Sequence, residues 1–372
     1  MVAPPVPAPP STTAPGGAGK PVSVVGLRKT YGDVVAVDEA SMEIAAGEFV
    51  TFLGASGSGK TTTLMMIAGF CEPDGGTITV GGHDVTRLAP QKRNLGFVFQ
   101  QYLLFPHMTV GENVAFPLQL RGVSKADIRR RVGETLEIAG LSGYGSRRPR
   151  ELSGGQQQRV ALCRALVYRP PVILMDEPLG ALDKKLRDQL QVEIKGIQRE
   201  LGLTVIYVTH DQEEALVMSD RIAVMREGLI DQFDTPRELF ERPSTPFVAD
   251  FLGAANFLPG RVEETGDEHT VVRLDHDGVL TARPHALPAG TAVQAAIQPG
   301  RLRACAPDEG FCTGTVETVT YVGTLVRVGL RLAGLDTLVR MEAPAGRAPI
   351  AGERIGIAVD AQDVNLFGSE GR

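Results

Sequence analysis

The sequence predicts an α/β fold with a parallel-sheet core and a helical subdomain, followed by a small all-β domain. Three observations support this fold class. Apolar runs of strand length alternate with helical patterns over about residues 21–256. Mostly helical patterns replace this alternation over about residues 101–167. In residues 257–372, short strands of period two lie between Gly and Pro turns, a pattern typical of antiparallel sheets.

The chain opens with residues 1–20, which are Pro, Ala, Gly, Ser and Thr with almost no large side chains. Such a segment cannot bury enough apolar surface to offset the entropy lost on ordering. We therefore expect a disordered tail ahead of the first domain.

The first domain, 21–256, shows the alternation along its length. The run Glu48–Leu53 predicts a buried strand that leads through a Gly-rich turn into a helix at Lys60–Ala68. Between Asp183 and Leu201, apolar residues recur in steps of three and four, which indicates one face of a helix. Strands rich in Val and Ile that alternate with helices predict a parallel sheet covered on both faces. The further predicted strands are Asn94–Phe99, Val172–Met175, Thr204–Val208 and Arg221–Met225.

The second domain, 257–372, shows period-two patterns at Leu325–Leu332 and Glu353–Val359. Alternate residues of such a strand face opposite sides, so one side of each is apolar. These patterns predict a small antiparallel barrel or sandwich.

Composition limits the classes of function. The net charge of −6 disfavours a nucleic-acid partner, since phosphate backbones are bound by clustered Lys and Arg. The chain has no apolar run of about 18 residues and no secretory signal pattern at its N-terminus. Its four cysteines show neither metal-ligand nor disulfide spacing. A cytosolic location fits these features.

A phosphate-binding loop is predicted at Gly54–Thr61, which matches G-x-x-x-x-G-K-[ST] between a strand and a helix. Glycines let backbone N–H groups surround phosphate oxygens, and the helix N-terminus adds its positive dipole end. We expect Lys60 to neutralise the β- and γ-phosphates and the Thr61 hydroxyl to bind Mg²⁺. The alternative, a Gly-rich surface turn, fits the strand–loop–helix context poorly. The predicted ATP-binding residues here are Gly54, Ala55, Ser56, Gly57, Ser58, Gly59, Lys60, Thr61 and Thr62.

Two carboxylates follow the buried strand that ends at Met175, at the end of the sheet where α/β proteins bind ligands. Asp176 is expected to hold Mg²⁺, and Glu177 to orient and polarise the attacking water. Taken alone, such a pair is as often a helix N-cap, but beside a phosphate loop the catalytic interpretation is favoured.

The segment Leu152-Ser-Gly-Gly-Gln156 precedes a helix predicted from Gln157 to about Val167. Ser153, Gly154, Gly155 and Gln156 thus form a second helix N-terminus suited to phosphate. One ATP needs only one such site from its own loop, so the second suggests closure over the γ-phosphate by another copy of the chain. Taken alone, this turn would be an ordinary capped loop.

Together these three elements resemble the nucleotide-binding subunits of ABC transporters over about residues 21–256. The Leu-Ser-Gly-Gly-Gln signature separates that family from other P-loop ATPases. The resemblance implies a P-loop NTPase fold, ATP and Mg²⁺ as cofactors, and a head-to-tail homodimer that clamps two MgATP.

Four further residues match family positions. Tyr31, which we place ahead of the first strand pair, matches the aromatic residue that stacks on adenine. Gln100 matches the glutamine that senses Mg²⁺ and links to the membrane subunit. Asp183 matches the aspartate that crosses the dimer interface, and His210 the histidine that contacts the γ-phosphate. Outside this pattern they would be a surface tyrosine, a glutamine without a role, an N-cap and a structural histidine.

The second domain resembles the transport-associated OB-type domain of some bacterial importer ATPases, through Gly253–Gly260 and Tyr321–Thr324. That family usually has an arginine and an acidic residue around a central proline, whereas this chain has Ile297-Gln-Pro-Gly-Arg301. Ligand sensing and dimerisation both stay open as roles for this domain.

The only indication of the cargo is similarity of local sequence. Gly54–Gly57 and Thr61–Phe70 are most similar to spermidine/putrescine importer ATPases, and ferric iron, sugar and sulfate are the alternatives. The resemblance implies two membrane permease subunits, an indirect link to an extracytoplasmic solute-binding protein, and a peripheral position on the cytoplasmic face of the membrane.

A soluble ABC ATPase that acts on nucleic acid or ribosomes is the alternative from another class. The DNA-repair type has a long coiled coil between phosphate loop and signature, and residues 61–152 hold no sustained heptads. The ribosome type carries two cassettes, and this chain has one. A regulatory module without turnover is disfavoured because Lys60, Asp176, Glu177 and His210 are all present.

Overall fold

A computed structural model of the chain describes residues 19–180 and 182–368. The chain divides into two compact units, Met1–Pro236 and Arg237–Arg372, and each is described by itself. The predicted tail lies outside the described residues except for its last two. Gly19 N–H donates to the Gly202 carbonyl at 2.9 Å and Lys20 N–H to the Pro171 carbonyl at 3.3 Å, so these two residues are bound to the first unit.

The first unit alternates strands and helices as the sequence predicts. Its strands are β1 (Val22–Tyr31), β2 (Val34–Ile44), β3 (Phe49–Leu53), β4 (Gly75–Val80), β5 (His83–Asp84), β6 (Gly96–Val98), β7 (Val172–Asp176), β8 (Thr204–Thr209), β9 (Arg221–Arg226) and β10 (Leu229–Asp234). Its helices are α1 (Lys60–Ala68), α2 (Pro90–Arg93), α3 (Val110–Leu120), α4 (Lys125–Ile138), α5 (Gly154–Leu166), α6 (Lys184–Leu201) and α7 (Gln212–Met218), with a 3₁₀ turn at Pro149–Glu151.

The central sheet confirms the predicted parallel core. Its strand order is β10-β9-β3-β8-β7-β6, and its strands are parallel except for the antiparallel β9–β10 pair. Every residue of β3, β7 and β8 is buried, which explains why these strands are mostly apolar. The carboxyl ends of these three neighbouring strands carry the phosphate loop, the Asp176–Glu177 pair and His210.

A second sheet, of order β2-β1-β4-β5, is antiparallel, and the sequence analysis did not predict it. Register shifts interrupt the β1–β2 pairing, between Val24 and Leu27 among other places, and this obscures the period-two pattern. The predicted position of Tyr31 ahead of the first strands is wrong. Tyr31 is the last residue of β1 and pairs with Val34 across the hairpin.

Helices α3, α4 and α5 form the predicted helical subdomain and share a buried apolar cluster. The helix predicted from Gln157 begins three residues earlier, at Gly154, because Ser153 caps it. The signature residues Gly154–Gln156 therefore form its first turn.

The second unit is built from antiparallel strands after two short helices, α8 (Pro236–Glu241) and α9 (Pro246–Gly253). Two five-stranded sheets, of order β13-β12-β11-β14-β20 and β15-β19-β16-β17-β18, enclose one apolar core. The domain boundary predicted from the sequence lies at residue 256, whereas α9 and all of α8 after Pro236 group with this unit. The strands are β11 (Asn256–Thr265), β12 (Thr270–Leu274), β13 (Val279–Ala282), β14 (Ala292–Ile297), β15 (Arg303–Cys305), β16 (Cys312–Val322), β17 (Leu325–Leu332), β18 (Val339–Pro344), β19 (Arg354–Ala358) and β20 (Val364–Gly368). Short 3₁₀ turns lie at Pro299–Arg301, Ala345–Arg347 and Ala361–Asp363.

Candidate active site

The loop between β3 and α1 needs glycine at defined positions. A Cβ on Gly54 would lie 2.3 Å from the Met225 carbonyl oxygen, and one on Gly59 would lie 2.5 Å from the Ala36 carbonyl oxygen. Gly59 also has φ +99°, a left-handed conformation that favours glycine. No side chain caps the first turn of α1, and that turn holds no acidic residue. Its N–H groups and its dipole therefore suit an anionic ligand.

The Lys60 ammonium lies inside this loop, and the residue is only 5% exposed. Its Nζ donates to the carbonyl oxygens of Gly54 and Ala55 at 2.8 Å each, and to Ser58 Oγ at 3.4 Å. Burial lowers the pKa of Lys60, while the charges of Glu177 and Asp176 act in the opposite direction. A phosphate anion would satisfy this buried cation better than carbonyl groups do.

Two of the three residues predicted at the Mg²⁺ site, Thr61 and Asp176, are in contact. The Thr61 hydroxyl donates to Asp176 Oδ1 at 3.0 Å, across the gap between α1 and β7. Asp176 is 8% exposed, and burial raises its pKa while the Thr61 hydrogen bond lowers it. A buried carboxylate beside a hydroxyl is a donor set that Mg²⁺ takes from proteins when substrate phosphates and waters complete its shell, so the residues fit this ion.

Glu177 is contacted by Gln100 and His210, two residues that the family resemblance singled out in other roles. Gln100 Nε2 donates to Glu177 Oε2 at 3.2 Å, and His210 Nδ1 lies 3.1 Å from Glu177 Oε1. The Glu177 backbone has φ +41°, a left-handed conformation that is costly for a residue with a side chain, and its N–H donates to the Val208 carbonyl. The structure thus brings Gln100, Glu177 and His210 together from three separate segments.

The signature residues make a capping box at the start of α5. Gln156 N–H donates to Ser153 Oγ at 3.4 Å, and Ser153 N–H donates to Gln156 Oε1 at 3.0 Å. Gln156 Nε2 also donates to the Tyr144 hydroxyl at 3.3 Å. Gly155 lies against α6, because a Cβ there would be 2.7 Å from Leu186 Cδ2. The described side-chain hydrogen bonds of Ser153 and Gln156 run within the helical subdomain.

Tyr31 and Asp183 make local contacts. Tyr31 is 54% exposed, and its hydroxyl lies 3.3 Å from Cys71 Sγ. Asp183 caps α6, since its Oδ1 accepts from Leu186 N–H at 3.0 Å. Both side chains occupy the structural positions that the sequence offered as alternatives to their family roles.

A network behind His210 was not predicted. Glu214 is 2% exposed and accepts from Tyr207 and Thr209, each at 2.8 Å, while Arg187 forms an ion pair with Asp211 at 2.7 Å. Polar residues on an amphipathic helix such as α6 are usually solvated, so nothing in the local sequence marked Arg187.

Comparison with known proteins agrees with this geometry. The ABC transporter family profile matches residues 37–180, and the TOBE domain profile matches residues 295–367. The spermidine/putrescine import ATP-binding protein PotA of Rubrobacter xylanophilus is 48% identical over 95% of this chain and 95% of its own length. The chain belongs to the ABC transporter family. It is therefore an ATP-binding, ATP-hydrolysing subunit of a transport system, as the sequence analysis predicts.

Other members of the ABC transporter family extend the comparison. The Fe(3+) ions import ATP-binding protein FbpC of Agrobacterium fabrum is 47% identical over 82% of this chain and 86% of that protein. A dimeric ATP-binding cassette solved in a post-hydrolysis state with ADP and Pi has a TM-score of 0.53 at 36% identity, over 58% of this chain and 99% of that one. A subunit of the cbiONQ ABC transporter complex from Clostridium perfringens has a TM-score of 0.56 at 29% identity, over 59% of this chain and 90% of that one. Within residues 19–180 and 182–368, no helix combines the length and the apolarity that a membrane crossing requires.

Proposed function

We propose that this chain couples MgATP hydrolysis to the import of a polyamine, spermidine or putrescine. The observation that carries the ATPase chemistry is the convergence of Gln100, Glu177 and His210 beside the contact between Thr61 and Asp176. The names of relatives that match over most of the chain, among them the spermidine/putrescine import protein of Rubrobacter xylanophilus, support the cargo.

In the proposed mechanism, Lys60 and the N–H groups at the start of α1 hold the β- and γ-phosphates. Thr61 and Asp176, with Gln100, would hold Mg²⁺, and the bound ion would supply positive charge next to the phosphates. Glu177 orients the attacking water and accepts its proton. Gln100 and His210 contact the two oxygens of the Glu177 carboxylate and would hold it in place. In this proposal His210 also contacts the γ-phosphate.

The proposal includes a second copy of the chain. Ser153–Gln156 form the N-terminus of α5, where Ser153 and Gly154 are exposed. This site is suited to phosphate, and among the described hydrogen bonds it makes none to the phosphate loop of its own chain. In a head-to-tail pair, this signature closes over the γ-phosphate of the partner, Asp183 lies at the interface and Tyr31 stacks on adenine. The dimeric cassette with ADP and Pi supports this arrangement.

The remaining partners in the proposal are two membrane permeases and, indirectly, an extracytoplasmic solute-binding protein. The chain would then lie at the cytoplasmic face of the membrane. The names of its relatives as import subunits support this position.

Transport assays in proteoliposomes test the cargo. With the cognate permeases and binding protein, ATP turnover of the wild type should rise when spermidine or putrescine is added. The Glu177→Gln control should show almost no turnover with or without the polyamine. Ferric iron is the second candidate because the Agrobacterium relative is nearly as similar. Stimulation by Fe³⁺ and not by polyamine would replace the proposed cargo and leave the ATPase assignment intact.

A further inference from the structure

We propose that Arg187 is a positioning residue that ties the loop carrying His210 to the loop carrying Asp183. Arg187 lies in the first turn of α6, and its guanidinium reaches two segments. One terminal nitrogen donates to Asp211 Oδ2 at 2.7 Å, next to His210 in the chain. The other donates to the Leu182 carbonyl at 3.1 Å, next to Asp183. The fork of one side chain therefore holds both loops.

The contacts on the His210 side fix the backbone on both flanks of that residue. Asp211 caps α7, because its side chain accepts from two N–H groups of the first helical turn. Asp211 N–H in turn donates to Thr209 Oγ1 at 3.0 Å, and Thr209 Oγ1 donates to the buried Glu214 carboxylate at 2.8 Å. A shift of Asp211 would therefore move His210 relative to the phosphate loop.

Burial makes the Arg187 contacts stronger than those of an exposed pair. The Arg187 and Asp211 side chains are 25% and 28% exposed, and Arg187 Nε lies 3.7 Å from the nearly buried Glu214 carboxylate. A second ion pair, between Lys184 and Glu213, joins the same two helices, but its side chains are 72% and 60% exposed. Charge-assisted hydrogen bonds from a planar fork also fix geometry, whereas an exposed pair contributes little.

The inference rests on the proposed roles of His210 and Asp183. If Asp183 meets the partner copy, then any displacement of its loop reaches His210 through one side chain. Through Arg187, the position of His210 beside the γ-phosphate would then depend on closure of the dimer. Removal of the Arg187 side chain should impair turnover more than nucleotide binding, because the phosphate loop itself is untouched.

Steady-state ATPase kinetics of the full chain test this role. Arg187→Met should lower kcat by about 10- to 100-fold, the loss expected from a small misplacement of a catalytic group, with KM for ATP changed by about twofold or less. Lys184→Met, the matched control that breaks the exposed pair between the same helices, should change kcat by no more than about twofold. Wild-type kcat in Arg187→Met would overturn the inference.

A comparison in the His210→Ala background separates positioning from general stability. If Arg187 acts through His210, adding Arg187→Met to His210→Ala should produce no further loss of turnover. A loss that multiplies in the double variant would mean that Arg187 acts by another route, and would overturn the inference. Full turnover in His210→Ala alone would instead refute the proposed role of His210.

Arg187→Lys keeps the test decisive if Arg187→Met fails to fold. Lysine keeps the positive charge beside Glu214, but its single ammonium group lacks the planar fork that spans Asp211 and the Leu182 carbonyl. We expect this variant to unfold at the wild-type temperature in a circular dichroism melt and to show a reduced kcat with unchanged KM. Wild-type kcat in Arg187→Lys would mean that only the positive charge matters, and loss of folding in both Arg187 variants would mean that Arg187 only stabilises the fold. Either result would overturn the inference.

Discussion

Glu177→Gln separates the chemical step from nucleotide binding. The carboxylate has two partners, Gln100 Nε2 at 3.2 Å and His210 Nδ1 at 3.1 Å, and the side chain is 20% exposed. An amide has the same size, and its oxygen can still accept from Gln100 Nε2, whereas its neutral NH₂ group replaces the charged oxygen that faces His210. Loss of the His210 contact should lower the free energy of unfolding by about 0.5–1.5 kcal/mol.

The effect on turnover should be much larger than the effect on stability. A neutral amide cannot accept a proton from water, and general-base catalysis contributes about 10²- to 10⁴-fold. This range corresponds to about 2.7–5.5 kcal/mol in the activation free energy. Binding of MgATP should be unchanged or tighter, because the lost interaction belongs mainly to the transition state.

Three measurements on the same variant test this reasoning. Phosphate release gives turnover, equilibrium titration with MgATP gives binding, and size-exclusion chromatography with and without MgATP shows whether a closed dimer accumulates. Wild-type turnover would remove Glu177 from the role of base. Lost binding would mean that its carboxylate serves the ground state.

Three further predictions follow from other contacts. Lys60→Ala should abolish MgATP binding in the same titration, because a bound triphosphate would lose its buried cation; wild-type affinity would contradict the phosphate-loop assignment. Asp74 accepts hydrogen bonds from Thr30 and Lys29, which lower its pKa from 3.8 to about 2. Its folded-state pKa is depressed, so its contribution to stability is complete above pH 3.8 and is lost as the pH falls toward 2. In thermal melts, Asp74→Asn should therefore be less stable than wild type by a constant amount above pH 3.8, and this difference should shrink as the pH falls toward 2. A stability difference that stays the same at lower pH would show that it does not come from the charge of Asp74. A fragment of residues 19–236 should fold alone, because these residues belong to one compact unit, and its thermal melt by circular dichroism should show one cooperative transition. A melt without a cooperative transition would refute the domain boundary after Pro236.

The sequence predicts the parallel sheet and the phosphate loop well because both depend on local patterns. The loop needs glycines where a Cβ would meet the carbonyl of Ala36 or Met225, and the fully buried strands need continuous apolar runs. The roles of Gln100 and His210 came from family resemblance alone, since an isolated glutamine or histidine carries no signal. The structure adds their contacts to Glu177.

Features that depend on distant pairing could not be predicted in the same way. The β1–β2 hairpin that carries Tyr31 contains bulges, which break the alternation that a period-two search needs. Arg187 connects residues that are five and 24 positions away, Leu182 and Asp211, and only the packing of α6 on α7 brings them together. A polar residue on a helix gives no sign of such a partner before the fold is known.

The left-handed backbone at Glu177 means that the residue needed for activity is not the residue that would be most stable at this position. With φ +41°, a residue other than glycine or asparagine costs about 1–3 kcal/mol there. Selection for heat resistance alone would therefore favour glycine or asparagine at this position, since either relaxes the main chain. Variants with glycine or asparagine at this position would still fold and bind the nucleotide, but they would not hydrolyse it. A thermostability campaign on this chain needs an ATPase screen at every round, or it will enrich heat-resistant proteins that no longer power transport.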